Sequence, residues 1–236
     1  MRIVAGKFKG RNLAKSDHLK TLRPTTEKNR ESLFNILASA KFIKEIGFEL
    51  ADKKILDVCC GSGAVGFEAL SRGAKSVVFI DNNLAHLDLV KKNCEILKTE
   101  NCVKILQADV KNIAKFLPKN EEFFDLVFID PPYEEDYELI IQNLLEKCWI
   151  KQNSLIVVEF KANGQFKKTF SSPKPIEKVD FHKTKKSVAD APIQFLSPKN
   201  SKQTQVQIKS NLIEHKSLNL LDLRSWGKTA FGFFYI

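Results

Sequence analysis

The sequence predicts a doubly wound α/β fold: a mostly parallel sheet with helices on both faces, closed by an antiparallel hairpin and preceded by a basic N-terminal extension. Three observations carry that expectation. From residue 54, short apolar runs rich in β-branched and aromatic residues alternate with stretches of helical periodicity. The runs are almost continuously apolar, as strands covered on both faces must be. The last two runs are joined by a short glycine turn instead of a helix. With 236 residues, 43% of them hydrophobic, the chain can bury one sizeable core.

The elements follow in order. RIVAGKFKGRNL alternates apolar and basic positions with Gly6 and Gly10 at turn spacing, which predicts a short basic hairpin or arm. Arg23-Pro24-Thr25-Thr26 then stops the chain, and a threonine followed by Glu27 marks a helix start. Leu33, Phe34, Ile36, Leu37, Ala40 and Ile43 recur at helical spacing, so one helix is expected from about residue 25 to 45. KKILDVCC, SVVFID, CVKILQ, FFDLVFID and SLIVVEF read as strands, and AVGFEALSR, NLAHLDLVKKNCEIL and YELIIQNLLEKCW as the helices among them. KSLNLLDL and TAFGFFYI, joined through Ser225-Trp226-Gly227-Lys228, read as the closing hairpin.

Residues 161–216 break this rhythm with twelve lysines, no arginine and many polar residues. They read as an insertion with at most one or two marginal strands, such as Thr204 to Ile208. Three parts are therefore expected: a basic arm and helix (1–45), a main domain (46–160 and 217–236) and the lysine-rich insertion (161–216).

The net charge of +10 is unevenly placed: +6 over residues 1–40, −5 over 41–160 and +9 over 161–236. Basic flanks around an acidic middle suit ancillary segments that grip a polyanion. No apolar run approaches the roughly 18 residues of a membrane span, and the first twenty residues hold six Lys/Arg without an apolar h-region. A cytoplasmic protein, a monomer with no membrane association, is expected. The five cysteines form no C-x-x-C pair and the four histidines no metal spacing with them, so buried free thiols and no metal are expected.

Two segments carry candidate chemistry. In LDVCCGSGAVG, Gly61 and Gly63 let the backbone pass close to a ligand, with Ser62 between them and a helix N-terminus behind. Asp81, 20 residues after Gly61, closes the second strand where a carboxylate can accept both hydroxyls of a ribose. Asp109 follows the third strand, placed to receive the exocyclic amine of an adenine, with Asn82 and Ala108 as neighbours at the same strand ends. The glycine turn alone fits a dinucleotide as well as another adenosine ligand. Asp57, four residues before Gly61, sets a negative charge by the turn, which suits the sulfonium and amino group of S-adenosylmethionine better than a pyrophosphate.

The second segment is FFDLVFIDPPYEED. Asp130-Pro131-Pro132-Tyr133 cannot continue a central strand, since neither proline has an N–H for the ladder. A nucleobase amine is a poor nucleophile because its lone pair is delocalised into the ring. Acceptors on its two N–H bonds, the Asp130 carboxylate and the Pro131 carbonyl, can turn that lone pair towards a methyl group while Tyr133 stacks on the base. The plainer alternative, in which Asp130 caps the next helix and the prolines end a strand, ignores that the segment falls at the carboxyl end of the fourth strand, where open α/β sheets bind ligands.

RIVAGKFKGRNL, LRPTTEKNRESLFNIL, ILDVCCGSGAVGFEALSRGA, FDLVFIDPPY and GKTAFGFFY resemble segments of the bacterial 16S ribosomal RNA guanine-N2 methyltransferases of the RsmD type. The resemblance covers most of residues 2–160 and 226–235, and its RPTT-x-x-x-R-E-x-L-F-N string is more specific than the glycine turn. It implies a class I, Rossmann-like, S-adenosylmethionine-dependent methyltransferase with a seven-stranded sheet, acting on 16S ribosomal RNA or the small ribosomal subunit. It implies cofactor contacts at Gly61, Ser62, Gly63, Asp81 and Asp109, and base placement by Asp130 to Tyr133. It also implies that Arg23, Thr25 and Arg30 shape the substrate mouth or grip RNA phosphate, with Arg11 of the basic arm counted among the RNA contacts. An arginine at a helix start can instead simply pair with Glu27 or Glu31. An N6-adenine methyltransferase shares the amine problem and remains the alternative enzyme. A non-catalytic RNA-binding assembly factor is the alternative outside enzymes, opposed by the intact Gly61, Gly63, Asp81 and Asp130 set. Relatives have a short connection where this chain has residues 161–216, so nothing is inherited there; a solvated loop is the plainer expectation and an RNA-binding flap the sharper one.

Overall fold

The structure is a computed structural model that describes residues 1–15, 25–110, 123–132, 137–146, 149–162, 205–206 and 218–236. Its strands are β1 (Lys54–Val58), β2 (Ser76–Asp81), β3 (Val103–Gln107), β4 (Phe124–Ile129), β5 (Ile150–Lys161), β6 (Gln205–Val206), β7 (Leu218–Trp226) and β8 (Thr229–Tyr235). They form one sheet in the order β3-β2-β1-β4-β5-β8-β7-β6. The pairs β1–β2, β2–β3, β1–β4 and β4–β5 are parallel, and β8 lies antiparallel between β5 and β7. This is the expected seven-stranded sheet, with the two-residue β6 added at the edge inside the segment where a marginal strand was expected. The strands of the closing hairpin run up to Trp226 and from Thr229, so Gly227-Lys228 alone makes the turn.

The helices are α1 (Glu27–Ser39), α2 (Lys41–Glu45), α3 (Ala64–Ser71), α4 (Leu84–Leu97) and α5 (Tyr137–Glu146). Strand alternation divides the core into two layers. Ile55, Phe128 and Val157 face α1, α3 and α4 through Phe34, Phe67 and Val90, while Val58, Ile129 and Val158 face Ile140, Ile141 and Leu144 of α5. Each such side chain contributes about 1.5–3 kcal/mol on burial, which is why the strands read as continuous apolar runs. Among the described residues no helix is long and apolar enough to cross a membrane.

The single helix expected over 25–45 is two. The Thr26 hydroxyl caps α1 by accepting from the Asn29 N–H at 3.1 Å, and Ala40, extended at ψ 142°, separates α1 from α2. A straight helix would carry Ile43 about 130° around from the face formed by Arg30, Leu33, Phe34 and Leu37. The break turns Ile43 inward to 1% exposure and sets Phe42 edge-on to Phe233.

The N-terminal arm is the expected hairpin, with Arg2 bridged to Asn12 and the Ile3 N–H donating to the Arg11 carbonyl at 3.0 Å. It docks on α3: the Val4 and Ala5 N–H groups donate to Glu68 at 2.8 and 2.9 Å, and the Phe8 N–H to Ser71 Oγ at 2.9 Å. The cysteine expectation is met in part. Cys94 is buried, Cys59, Cys60 and Cys102 are half-buried, and Cys148 lies outside the described residues.

Candidate active site

The chain runs outward from β1 through β2 to β3 and then returns to place β4 on the other side of β1, so the order reverses between β1 and β4. In open α/β sheets the loops at such a switch point diverge and form a crevice at the carboxyl ends of the strands. The glycine turn enters it from β1. A Cβ on Gly63, the N-cap of α3, would come within 2.9 Å of the Phe79 ring, and one on Gly66 within 2.3 Å, so α3 lies against β2 only because both positions lack a side chain. Cys59 just before the turn adopts φ +57°, left-handed backbone that is uncommon for a non-glycine residue.

Asp57 is 1% exposed; its Oδ2 accepts the Gly66 N–H at 2.9 Å, while Oδ1 is buried with no partner. Burial pushes its carboxyl up to about 8, the Gly66 N–H offsets part of that, and Asp81 adds to it. The negative charge expected beside the turn is therefore neutralised by a proton at pH 7 in the free protein, a correction that follows from desolvation.

Asp81 is buried and committed to local structure. Its Oδ2 accepts the Gly61 N–H at 2.9 Å and Oδ1 the Asn83 N–H at 2.9 Å, and His86 Nδ1 lies 3.2 Å from Oδ2. The tautomer of His86 follows from its neighbours: Asn83 Oδ1 accepts from Ala85, so the Asn83 amide nitrogen faces Nε2 and Nδ1 carries the proton given to Asp81. Asn82 is exposed and its carbonyl accepts from Gln107, Ala108 is buried with its N–H on the Asp81 carbonyl, and Asp109 is exposed just beyond β3. Buried Asn93 ties the arm to the turn, donating to the Ser62 carbonyl at 3.0 Å and accepting the Ala14 N–H at 2.6 Å.

Asp130 follows β4, its N–H bonded to the Val58 carbonyl at 3.2 Å. Its carboxylate receives no hydrogen bond from a described residue. Pro131 is buried and Pro132 exposed, while Tyr133 lies outside the described residues. Burial, then Glu159 and Asp57, raise the Asp130 carboxyl well above the usual range. Glu159, which the sequence reading passed over as the end of an apolar strand, is 5% exposed, held at about 7 by burial, and bonded through Oε2 to the Thr25 hydroxyl at 2.9 Å. Burial, with Asp57 and Asp81 next, also keeps the Cys60 thiol well above its ordinary value, so it is no thiolate nucleophile.

The predicted RNA contacts fare differently. Arg30 is fully buried, with Glu68 Oε2 3.4 Å from its Nε and the carbonyls of Thr25 and Arg2 accepting from its terminal nitrogens. It cannot reach a phosphate; it pins α1 to the arm and to α3. The expected pairing of Glu27 goes instead to Arg2, at 3.3 Å. Thr25 is buried on Glu159 and so belongs to the wall of the crevice. Arg11 is exposed, bonded to the Ile96 carbonyl and set over the Phe8 ring. Ile96 lies about 18 Å along α4 from the helix start near Asp81, so Arg11 stands away from the crevice. Arg23 lies outside the described residues.

Comparison with solved structures places this arrangement. The whole chain is similar to yhhF of Escherichia coli, with a TM-score of 0.63, 23% identity and 99% of this chain and 96% of that one covered. HI0767 of Haemophilus influenzae gives a TM-score of 0.59 at 26% identity, covering 99% and 97%. Strand order, glycine turn and crevice define a class I, Rossmann-like methyltransferase fold. The chain belongs to the family described as Conserved hypothetical protein 95, whose model matches residues 1–190. It is 37% identical over 162 residues to the ribosomal RNA small subunit methyltransferase D of Haemophilus influenzae, covering 67% of this chain and 78% of that protein. It is 36% identical over 160 residues to the protein of the same name from Escherichia coli K12, covering 67% and 74%.

Proposed function

We propose that this chain is an S-adenosylmethionine-dependent methyltransferase that adds a methyl group to the exocyclic N2 amine of a guanine in 16S ribosomal RNA of the small subunit, working as a cytoplasmic monomer. The observation that carries this reading is the corner at Asp130-Pro131: a carboxylate that accepts no hydrogen bond from a described residue, held at the end of β4 across the switch point from the glycine turn. The names of the 37% and 36% identical relatives support ribosomal RNA as the substrate class.

The turn suits the methyl donor. Asp57 Oδ1, buried with no hydrogen-bond partner beside the turn, is a polar atom left for a cationic donor to engage. Asp57, Gly61, Ser62 and Gly63 would hold the methionine end, Asp81 and Asn82 the ribose, and Ala108 and Asp109 the adenine. When bound, S-adenosylmethionine supplies a methyl carbon that accepts the N2 lone pair while the broken S–C bond leaves its electrons on sulfur. Asp130 and the Pro131 carbonyl take the two N2–H bonds and so direct that lone pair, with Tyr133 stacked on the base. The carboxylate then takes the proton that the amine loses. The prolines fix these acceptors beforehand, which keeps the ordering entropy at the moment of transfer small. The target base must leave its stack to enter, at a cost of about a few kcal/mol unless it is already unpaired.

Tritiated donor incubated with small-subunit particles lacking the modification is expected to label N2-methylguanosine; label on adenine N6 would overturn the choice of base. Asp130→Ala is expected to lower kcat by about 100-fold or more with little change in donor affinity by calorimetry. Equal losses in both would refute the role given to Asp130.

A further inference from the structure

Glu159 is the charged group beside Asp130 for which the reaction as described has no task. The β4–β5 register pairs Ile129 with Val158, so Asp130 and Glu159 are the next residues of adjacent parallel strands, about 4.8 Å apart along the ladder. Glu159 lies on the face of β5 that carries Val157, and Asp130, one residue past β4, is near enough for the two carboxyls to act on each other. Thr25 occupies Glu159 Oε2 at 2.9 Å, which fixes the side chain. Oε1 accepts nothing from a described residue, and Glu159 keeps 5% of its surface exposed at the carboxyl end of β5, beside the corner that holds Asp130.

Two neighbouring carboxyl groups, neither ion-paired with a described base, form a wall that once ionised offers only acceptors, and adjacent donors on a ligand are what favour that ionised form. Guanine carries such donors side by side on one edge, N1–H and the N2 amine. Adenine and cytosine each set an unprotonated ring nitrogen, an acceptor, next to their amine, and a carboxylate facing it would repel.

Resting on the guanine-N2 reading above, we propose that Glu159 determines base specificity: its Oε1 accepts the N1–H of the target guanine while Asp130 holds an N2–H. A site that desolvates a carboxylate for one hydrogen bond rejects a base lacking that proton more strongly than an apolar wall would. Thr25 is then a positioning residue that keeps Oε1 turned to the base.

The test replaces the guanine that the tritium label identifies with 2-aminopurine, which keeps the amine but has no proton on N1, in reconstituted small-subunit particles. The unaltered enzyme is expected to favour guanine in kcat/KM on the order of 10- to 100-fold. Glu159→Gln, whose amide can donate to an unprotonated N1, is expected to lose activity on guanine, gain on 2-aminopurine, and bind the donor as before. Comparable turnover of the two substrates by the unaltered enzyme overturns the proposal without need of any variant. Equal losses on both substrates in Glu159→Gln, with their ratio unmoved, would reduce Glu159 to a structural group. Absence of N2-methylguanosine from the guanine particles would instead strike the underlying reaction.

Discussion

Asp57 ionises at 3.8 when unfolded and at about 8 in the folded protein. Between those values the folded state holds a proton that the unfolded chain has released, so stability declines as pH rises from about 4 to about 8 and is level above. Asp57→Asn, which removes this titration, is expected to match the parent near pH 4 and to melt progressively higher than it as pH climbs to 8; thermal melts without donor check this, and a constant difference would mean the carboxyl is ionised throughout. A bound cation must draw that proton off, so donor binding at pH 7 is expected to release protons, read by calorimetry in buffers of different ionisation enthalpy. Asp57 and Asp130 were legible in the sequence because each adjoins a local signal, a glycine turn or a proline pair. Glu159 was not, since at the end of SLIVVEF it looks like any solvated strand terminus, and Arg30 was misread because nothing local says that Glu68 will meet it.

At the scale of elements, the arm and α1 are fastened through α3. Fully buried Glu68 receives two arm N–H groups, Arg30 and, at 2.8 Å, Arg72. Glu68→Ala leaves Arg30 buried without its counter-charge and is expected to cost about 3–5 kcal/mol, seen as a lower melting temperature and as tryptic cleavage at Lys7 and Lys9 in otherwise folded protein. Gly6 adopts φ +81° and a Cβ there would fall 1.9 Å from the Ser71 carbonyl oxygen, so Gly6→Ala is expected to free the arm with less loss in the core. Because Asn93 links Ala14 to the Ser62 carbonyl, both changes are also expected to weaken donor binding; unchanged affinity would separate the arm from the turn. The arm's hairpin character was readable from Gly6 and Gly10, and the helix start from Thr26. The break at Ala40 was not, because it answers to where the core lies and not to any residue that stops a helix.

Across the whole molecule, the connection after β5 has a geometric floor. Ala162 bonds to Lys228 at one end of β8 and Leu218 starts β7 opposite the other end, so residues 163–217 must span about 20 Å along that strand. Replacing residues 163–204 by a twelve-residue Gly/Ser linker keeps that reach. The expected result is a folded protein with unaltered donor affinity and an unaltered slope of log Kd for 16S RNA against log salt. A flatter slope would assign some of the nine lysines of 163–204 to phosphate and convert the segment into an RNA-binding flap.

The order and kind of the elements, the glycine turn, the rigid corner after β4 and the placement of charge in the flanks were determined by the sequence itself, since each depends on residues within a few positions of one another. Only the tertiary structure decided that Asp57, Asp130 and Glu159 come close enough to act on one another, that burial raises the first two carboxyls above their ordinary range, and that Arg30 serves the arm instead of RNA. Those properties depend on strand register and on exclusion of water, which join residues as far apart as Thr25 and Glu159 and leave no trace in local spacing.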